Sequence, residues 1–197
     1  LFVKLFHLSI SESALYLFNS ILFGVSAILW FFLLDRIYIQ NKNREILLSI
    51  GVLTYIFSPE LLHGMGIVYW HQSVMQVTLL VQIFAYYRYK VENSKKSLYV
   101  FWVFTLLNPY IEWTGYVANI GYLCVELLTL WRKDVKLALR NAIFIGILTL
   151  LSFGIFSLHY LSVITPTEYF GSLRDRFFSR GVGSKVELTA MFGSYFK

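Results

Sequence analysis

Six apolar blocks divide this chain, and the loops between them alternate between basic and free of basic residues. The blocks run from Ala14 to Leu34, Ile46 to Phe57, Ser73 to Tyr87, Leu98 to Leu107, Tyr116 to Trp131 and Ala142 to about Leu161. Blocks of this kind suit helices that cross the ~30 Å hydrocarbon core of a bilayer, where no water satisfies backbone or ionised groups.

The alternating charge sets an orientation. The loop after the first block holds Arg36, Lys42 and Arg44; the loop after the third holds Arg88, Lys90, Lys95 and Lys96; the loop after the fifth holds Arg132, Lys133, Lys136 and Arg140. These are eleven of the 17 Lys and Arg residues, whereas the intervening loops, 58–72 and 108–115, hold none. The positive-inside bias makes the basic loops cytoplasmic and the other face periplasmic, extracellular or lumenal. Six crossings then put both the N-terminal segment and the tail after Ile164 outside.

The expected fold is all-α: a polytopic helical membrane protein with about six transmembrane helices, two of them short and proline-terminated. Ser58-Pro59 and Asn108-Pro109 mark the breaks, because proline lacks the amide hydrogen and disfavours helix at the residue before it. Either short block continues past its proline as a kinked helix or ends early over a water-filled cavity. Residues 1–164 form the expected transmembrane domain, and 165–197 an extracytoplasmic amphipathic tail leading to further chain. The start at Leu1, with no signal peptide in view, is read as that of a piece of a longer protein.

Composition excludes the soluble alternatives. Hydrophobic residues make up 57% and charged residues 14%, against about 25% charged in a soluble domain. A net charge of +6 in a soluble protein would suggest nucleic acid; here the bases lie in loops, so no nucleic-acid partner is expected. The 14 Tyr and 5 Trp suit headgroup-level belts. Cys124, the one cysteine, lies within an apolar block and is expected to be a small core residue.

The base-free loops carry the candidate chemistry: Glu60, His63 and His71 in one, and Glu112 in the other. Ionisable groups at membrane depth tend to face a cavity or a partner, and such a carboxylate or imidazole can act as a general base on an acceptor hydroxyl. The same residues can also be ordinary members of wet loops. Glu60, His63 and His71 are conceivable metal ligands, but the spacing lacks a pattern such as H-E-x-x-H, so no metal or other cofactor is assigned. Glu126 is expected to snorkel towards Arg132 or Lys133, with a proton relay as the sharper alternative. His159 and Tyr160 read as interface anchors. In the tail, Arg174, Arg176 and Arg180 stand among Tyr169, Phe170, Phe177 and Phe178, a pattern for binding lipid phosphate or for resting on anionic headgroups.

One stretch carries a family resemblance. Leu5-Phe6-His7-Leu8-Ser9, Ala14-Leu15-Tyr16-Leu17-Phe18-Asn19 and Leu22-Phe23-Gly24 lead to Asp35-Arg36; the next block ends at Ser58-Pro59, and an aromatic outer loop follows at Tyr69-Trp70-His71. This run, over about Leu1 to Tyr89, resembles multi-spanning glycosyltransferases of the GT-C class, and Glu112-Trp113 looks like bacterial members of that kind. The resemblance implies transfer of a sugar from a polyprenyl-phosphate-linked donor to a glycan or lipid acceptor on the extracytoplasmic face, in the cell envelope, with the protein in a bacterial inner membrane. It implies direct displacement at the anomeric carbon, with Glu60, His71 and Glu112 near the acceptor and Arg174, Arg176 and Arg180 on the leaving phosphate. The family's main carboxylate usually lies in the first outer loop, upstream of the residues present, so the N-terminal catalytic loop is expected to be missing. The rival expectations are a transporter or lipid flippase using Asn119 and Glu126, and a non-catalytic membrane subunit.

Overall fold

The computed structural model describes residues 12–58, 71–129 and 135–179. Among them every regular element is a helix: α1 (Glu12–Ile37), α2 (Arg44–Ile56), α3 (His71–Glu92), α4 (Lys95–Ile111), α5 (Thr114–Thr129), α6 (Val135–Leu161) and α7 (Pro166–Ser179). The chain forms two compact units, residues 1–153 and 154–197, with the boundary inside α6.

In the first unit the helices alternate in direction. Trp30 Nε1 of α1 donates to the Gly51 carbonyl of α2 at 3.0 Å, and Trp30 stacks on Tyr55. At Gly51 a Cβ would press on the terminal methyl of Leu34, which would have to shift. The α3–α4 turn takes two residues. Asn93 adopts a left-handed conformation, φ 54°, and Ser94 N–H reaches back to the Arg88 carbonyl at 3.4 Å, so the helix ends on an αL residue. Ser94 then accepts from Ser97 N–H and so caps α4. At the same end, Glu92 pairs with Arg88 and with Arg36 of α1, and the Tyr87 hydroxyl donates to the Arg36 carbonyl. The core cluster is Ala85, Leu98, Phe101 and Ile145, with Tyr86, Trp102 and Tyr122 packed on it.

Polarity is inverted relative to a water-soluble fold. Leu128 and Leu150 are each 72% exposed, while Gln82, Thr105, Asn108 and Glu126 are each 0% exposed. In soluble proteins Glu is almost never fully buried unless paired. Two helices are long and apolar enough to cross a membrane, α1 over Ser13–Ile37 and α6 over Val135–Leu161. The α4 and α5 helices have 17 and 16 residues; at a rise of about 1.5 Å per residue both are shorter than a ~30 Å hydrocarbon core.

Three sequence expectations need correction. The fourth apolar block does not end before Pro109; α4 runs through it to Ile111. Proline is tolerated because it falls in the last turn and a side chain from α5 takes over its missing bond, as described below. Cys124 is exposed rather than a core residue, since α5 turns Asn119 and Glu126 inward and leaves Cys124 on its apolar outer side. The sixth block starts late: α6 begins at Val135, seven residues before Ala142, because Asn141 is buried in a polar cluster that its helix supplies.

In the second unit, the tail carries a helix. Thr165 and Glu168 form a reciprocal cap on α7: Glu168 Oε2 accepts from Thr165 N–H at 2.9 Å and from Thr165 Oγ1 at 2.8 Å, and Glu168 N–H donates back to Oγ1. Pro166 follows at the first helical position, where its fixed φ favours the start. Tyr169 is buried against the end of α6, its hydroxyl 2.7 Å from Ser157 Oγ.

Candidate functional site: a helix corner beyond two inward-facing polar layers

The polar interior of the first unit is built from stripes at helical spacing. Gln82, Tyr86, Tyr89 and Lys90 share one face of α3; Thr105 and Asn108 lie on α4; Asn119 and Glu126 lie two turns apart on α5; Asn141 and Thr149 lie on α6. Assembled, they make two layers.

The first layer centres on Gln82. Its Nε2 donates to Thr105 Oγ1 at 3.1 Å and to Asn119 Oδ1 at 3.0 Å, and its Oε1 accepts from Asn108 Nδ2 at 2.6 Å. Asn119 Nδ2 donates to Thr149 Oγ1 at 2.9 Å and to the Thr105 carbonyl at 2.8 Å. Every polar atom of the Gln82 and Asn119 side chains is therefore satisfied. Asn108 Oδ1 is buried with no partner among the described residues.

The second layer centres on Glu126. Lys90 Nζ lies 2.7 Å from each carboxylate oxygen, the Tyr86 hydroxyl donates to Oε1 at 2.9 Å, and Asn141 Nδ2 approaches Oε1 at 3.4 Å while donating to the Tyr89 hydroxyl at 3.0 Å. Lys90 Nζ also sits over the Tyr86 and Tyr89 rings at 5.6 and 5.5 Å. Among the described residues the charged partner of Glu126 is Lys90 of α3; the expected Arg132 and Lys133 lie outside them. Between the layers stands an aromatic barrier in which Tyr86, Phe101 and Tyr122 pack with ring centroids 4.8–5.0 Å apart.

Glu112 ends α4 at the opposite end of the unit from Lys90. Its N–H donates to the Asn108 carbonyl at 3.1 Å, and its carbonyl accepts from Gly115 N–H at 3.0 Å. Its Oε2 accepts from Thr114 N–H at 3.2 Å and so caps α5; its other carboxylate oxygen has no hydrogen-bond partner among the described residues. Gly115 is required at this corner, because a Cβ would collide with the backbone of Asn108 and Pro109.

The corner ends short of the first turn of α3. Gln82 and Asn108 are level, since their side chains are bonded. From that level α3 continues eleven residues to His71, about 16 Å at a rise of about 1.5 Å per residue, whereas Glu112 is four residues on, about 6 Å. The first turn of α3 therefore stands about 10 Å beyond the corner at about 1.5 Å per residue.

The other expected residues are placed as follows. His71 is the first residue of α3 and its side chain is outside the described set; Glu60 and His63 lie wholly outside it, so the conceivable metal set cannot be placed. Arg174 is exposed on α7. Arg176 belongs to the same helix without a described side chain, and Arg180 lies outside the described residues. Among the described residues no cluster of three His, Cys, Asp or Glu is arranged for a metal.

Sequence reasoning missed Gln82, Tyr86, Tyr89, Lys90, Thr105 and Asn141, and treated Asn108 only as part of a break. The signal was present as polar residues repeating every three, four or seven positions within apolar blocks.

No protein family, curated protein or solved structure matches this chain.

Proposed function

We infer that this chain crosses a membrane with six helices, α1 to α6, and belongs to a membrane glycosyltransferase of the GT-C kind. The apolar exterior supports the membrane reading: surface that would be costly in water is ordinary against lipid, and polar groups turned inward satisfy one another. The Glu112 carboxylate at the α4–α5 corner, with one oxygen committed to Thr114 N–H, is the observation that carries the catalytic part. A carboxylate with one oxygen uncommitted lies short of the first turn of α3, at the end of the unit remote from the basic loops. In that setting Glu112 takes the proton of an acceptor hydroxyl as the hydroxyl oxygen attacks the anomeric carbon and the carrier phosphate leaves with the bonding pair. His71 opens α3, and with Glu60, which lies outside the described residues, it is the further candidate that the resemblance implies near the acceptor. The family resemblance assigns the carrier phosphate to Arg174, Arg176 and Arg180, residues of the second unit. The donor is a polyprenyl-phosphate-linked sugar, the acceptor a glycan or lipid, and the location a bacterial inner membrane with the corner facing outward.

The test separates base from cap. Glu112→Gln keeps an oxygen to accept from Thr114 N–H but cannot take a proton. The reading requires that this variant fold normally and lose sugar transfer in vesicles supplied with polyprenyl-phosphate sugar. Full transfer by Glu112→Gln, with loss only in Glu112→Ala, reduces Glu112 to a helix cap and removes the catalytic assignment.

A second reading, a transporter, is favoured by a specific observation: two polar layers, centred on the fully buried Gln82 and Glu126, separated by an aromatic barrier. It expects solute or ion movement that depends on Gln82 or Glu126 and is indifferent to Glu112→Gln.

A further inference from the structure

Positive charge is left over at one end of the first unit. The helices α3 to α6 carry two described carboxylates there, and both are committed: Glu92 pairs with Arg88 and Arg36, and Glu126 is buried with Lys90. Lys95 on α4, and Lys136 and Arg140 on α6, are exposed and have no ion pair among the described residues. These bases stand on stripes that continue as aromatic rings. Lys95, Tyr99 and Trp102 recur every three or four residues along one face of α4, as do Lys136, Arg140 and Phe144 along α6. The stripes join where Trp102 stacks on Phe144, with centroids 5.0 Å apart and planes 13° apart, and Tyr99 stands edge-on to Trp102 at 5.6 Å. Tyr99 and Phe144 remain 63% and 41% exposed. Both helices run from this stacked pair to the same end, for Lys95 follows closely on Glu92, and Asn141 of α6 bonds Tyr89 of α3. Arg140 lies four residues on, about 6 Å, and Lys95 seven, about 10 Å, at a rise of about 1.5 Å per residue.

We propose that this seam between α4 and α6 binds an anionic phospholipid, its phosphate held by Lys95 and Arg140 and an acyl chain laid over Tyr99, Trp102 and Phe144. The proposal rests on the membrane part of the reading above and not on the glycosyltransferase part. Both halves of the surface match that one molecule: cations at the end of the helices, and flat apolar rings about 6–10 Å deeper. Arg140 can grip two phosphate oxygens at once, and Lys95 adds its charge at the positive end of α4. Lys136, one turn beyond Arg140, extends the same charge outward. A zwitterionic lipid would cover the rings equally well, but it brings an amine for which the flanking helices leave no free carboxylate among the described residues. A positive seam of this kind therefore selects headgroups of net negative charge.

The test compares two lipids with the same acyl chains. The full chain in detergent is titrated with dioleoyl phosphatidylglycerol or dioleoyl phosphatidylcholine, and its melting temperature is followed. Phosphatidylglycerol is expected to raise it saturably and at lower concentration than phosphatidylcholine, as for a ligand that binds only the folded state. The preference is expected to weaken in Lys95→Gln and in Arg140→Gln, and to vanish in the double variant. These side chains are exposed, so the variants without lipid should melt as the parent does. Lys42→Gln, which removes the same charge from the α1–α2 loop, is expected to keep the preference. Phe144→Ala should weaken the response to both lipids alike. Equal stabilisation of the parent by the two lipids, a preference that survives the double variant, or the same loss in Lys42→Gln would each overturn the proposal. Alkaline extraction of membranes checks the membrane reading separately: release of the chain would overturn that reading and this proposal with it.

Discussion

Asn119 of α5 donates its Nδ2 to the Thr105 carbonyl of α4 at 2.8 Å, and that is the carbonyl a residue at position 109 would bond if it were not proline. An α-helix joins each N–H to the carbonyl four residues back. Pro109 has no N–H to give, and a buried carbonyl without a partner costs about 1–3 kcal/mol. The side chain of a neighbouring helix supplies the bond, so α4 passes through its proline and ends two residues later.

Asn119→Ala is accordingly expected to destabilise the folded chain by about 1–3 kcal/mol, since it orphans the Thr105 carbonyl and one Gln82 donor. Pro109→Ala restores an N–H to that carbonyl. In a double-mutant cycle followed by denaturant unfolding in detergent, the pair should cost less than the sum of the two single changes. Strict additivity would mean that the two residues do not share the Thr105 carbonyl.

Glycine tolerance should differ sharply between positions. Gly115→Ala drives a methyl into the Asn108–Pro109 backbone and is expected to cost about 1–3 kcal/mol through forced displacement. Gly24→Ala and Gly121→Ala meet nothing within 4 Å and should leave thermal unfolding unchanged or raise it, by up to about 1 kcal/mol through helix propensity.

The Lys90–Glu126 pair should respond asymmetrically. Lys90→Met leaves a carboxylate at 0% exposure with no counter-charge, and stranding a buried charge costs about 3–5 kcal/mol. Glu126→Gln leaves a lysine that can extend to the interface, so its cost should be clearly smaller. Equal losses in melting experiments would show that the lysine is held as firmly as the glutamate.

The α7 cap carries a pH dependence. The hydrogen bonds Glu168 accepts from Thr165 hold its carboxyl below the ordinary value of 4.5. A carboxyl with a lowered folded-state pKa stabilises fully above its unfolded value, and the contribution is lost as pH falls through the folded one. Amide exchange in the first turn of α7, corrected for intrinsic rates, should therefore become less protected as the medium is acidified below the usual glutamate range. Glu168→Gln should remove that dependence.

The pattern of apolar blocks and basic loops located α1 to α6 to within a few residues, because hydropathy is written locally and the bilayer-length constraint acts on each segment alone. The start of α6 and the helical nature of 166–179 were less legible. Asn141 reads as loop-like until its partner Glu126 is in place, and the Thr165–Glu168 cap was overlooked among the aromatic and basic residues of the tail. The polar layers were hidden for a different reason. Gln82 looks like a tolerated impurity in an apolar block, and only the packing of α3 against α4 and α5 turns it into the centre of a network. Of the expected site, Glu112 and Arg174 are placed with their side chains, and the capping bond of Glu112 to Thr114 could not be read from sequence because it depends on where α5 begins.

The orientation of the unit underlies every functional statement, and cysteine labelling tests it most directly. On a Cys124→Ala background, single cysteines replace Trp113 at the α4–α5 corner and Lys42 between α1 and α2, and intact cells are treated with a membrane-impermeant maleimide. The account predicts that Trp113→Cys is labelled from outside, whereas Lys42→Cys is labelled only after permeabilisation. Labelling of both positions from the same side would contradict it.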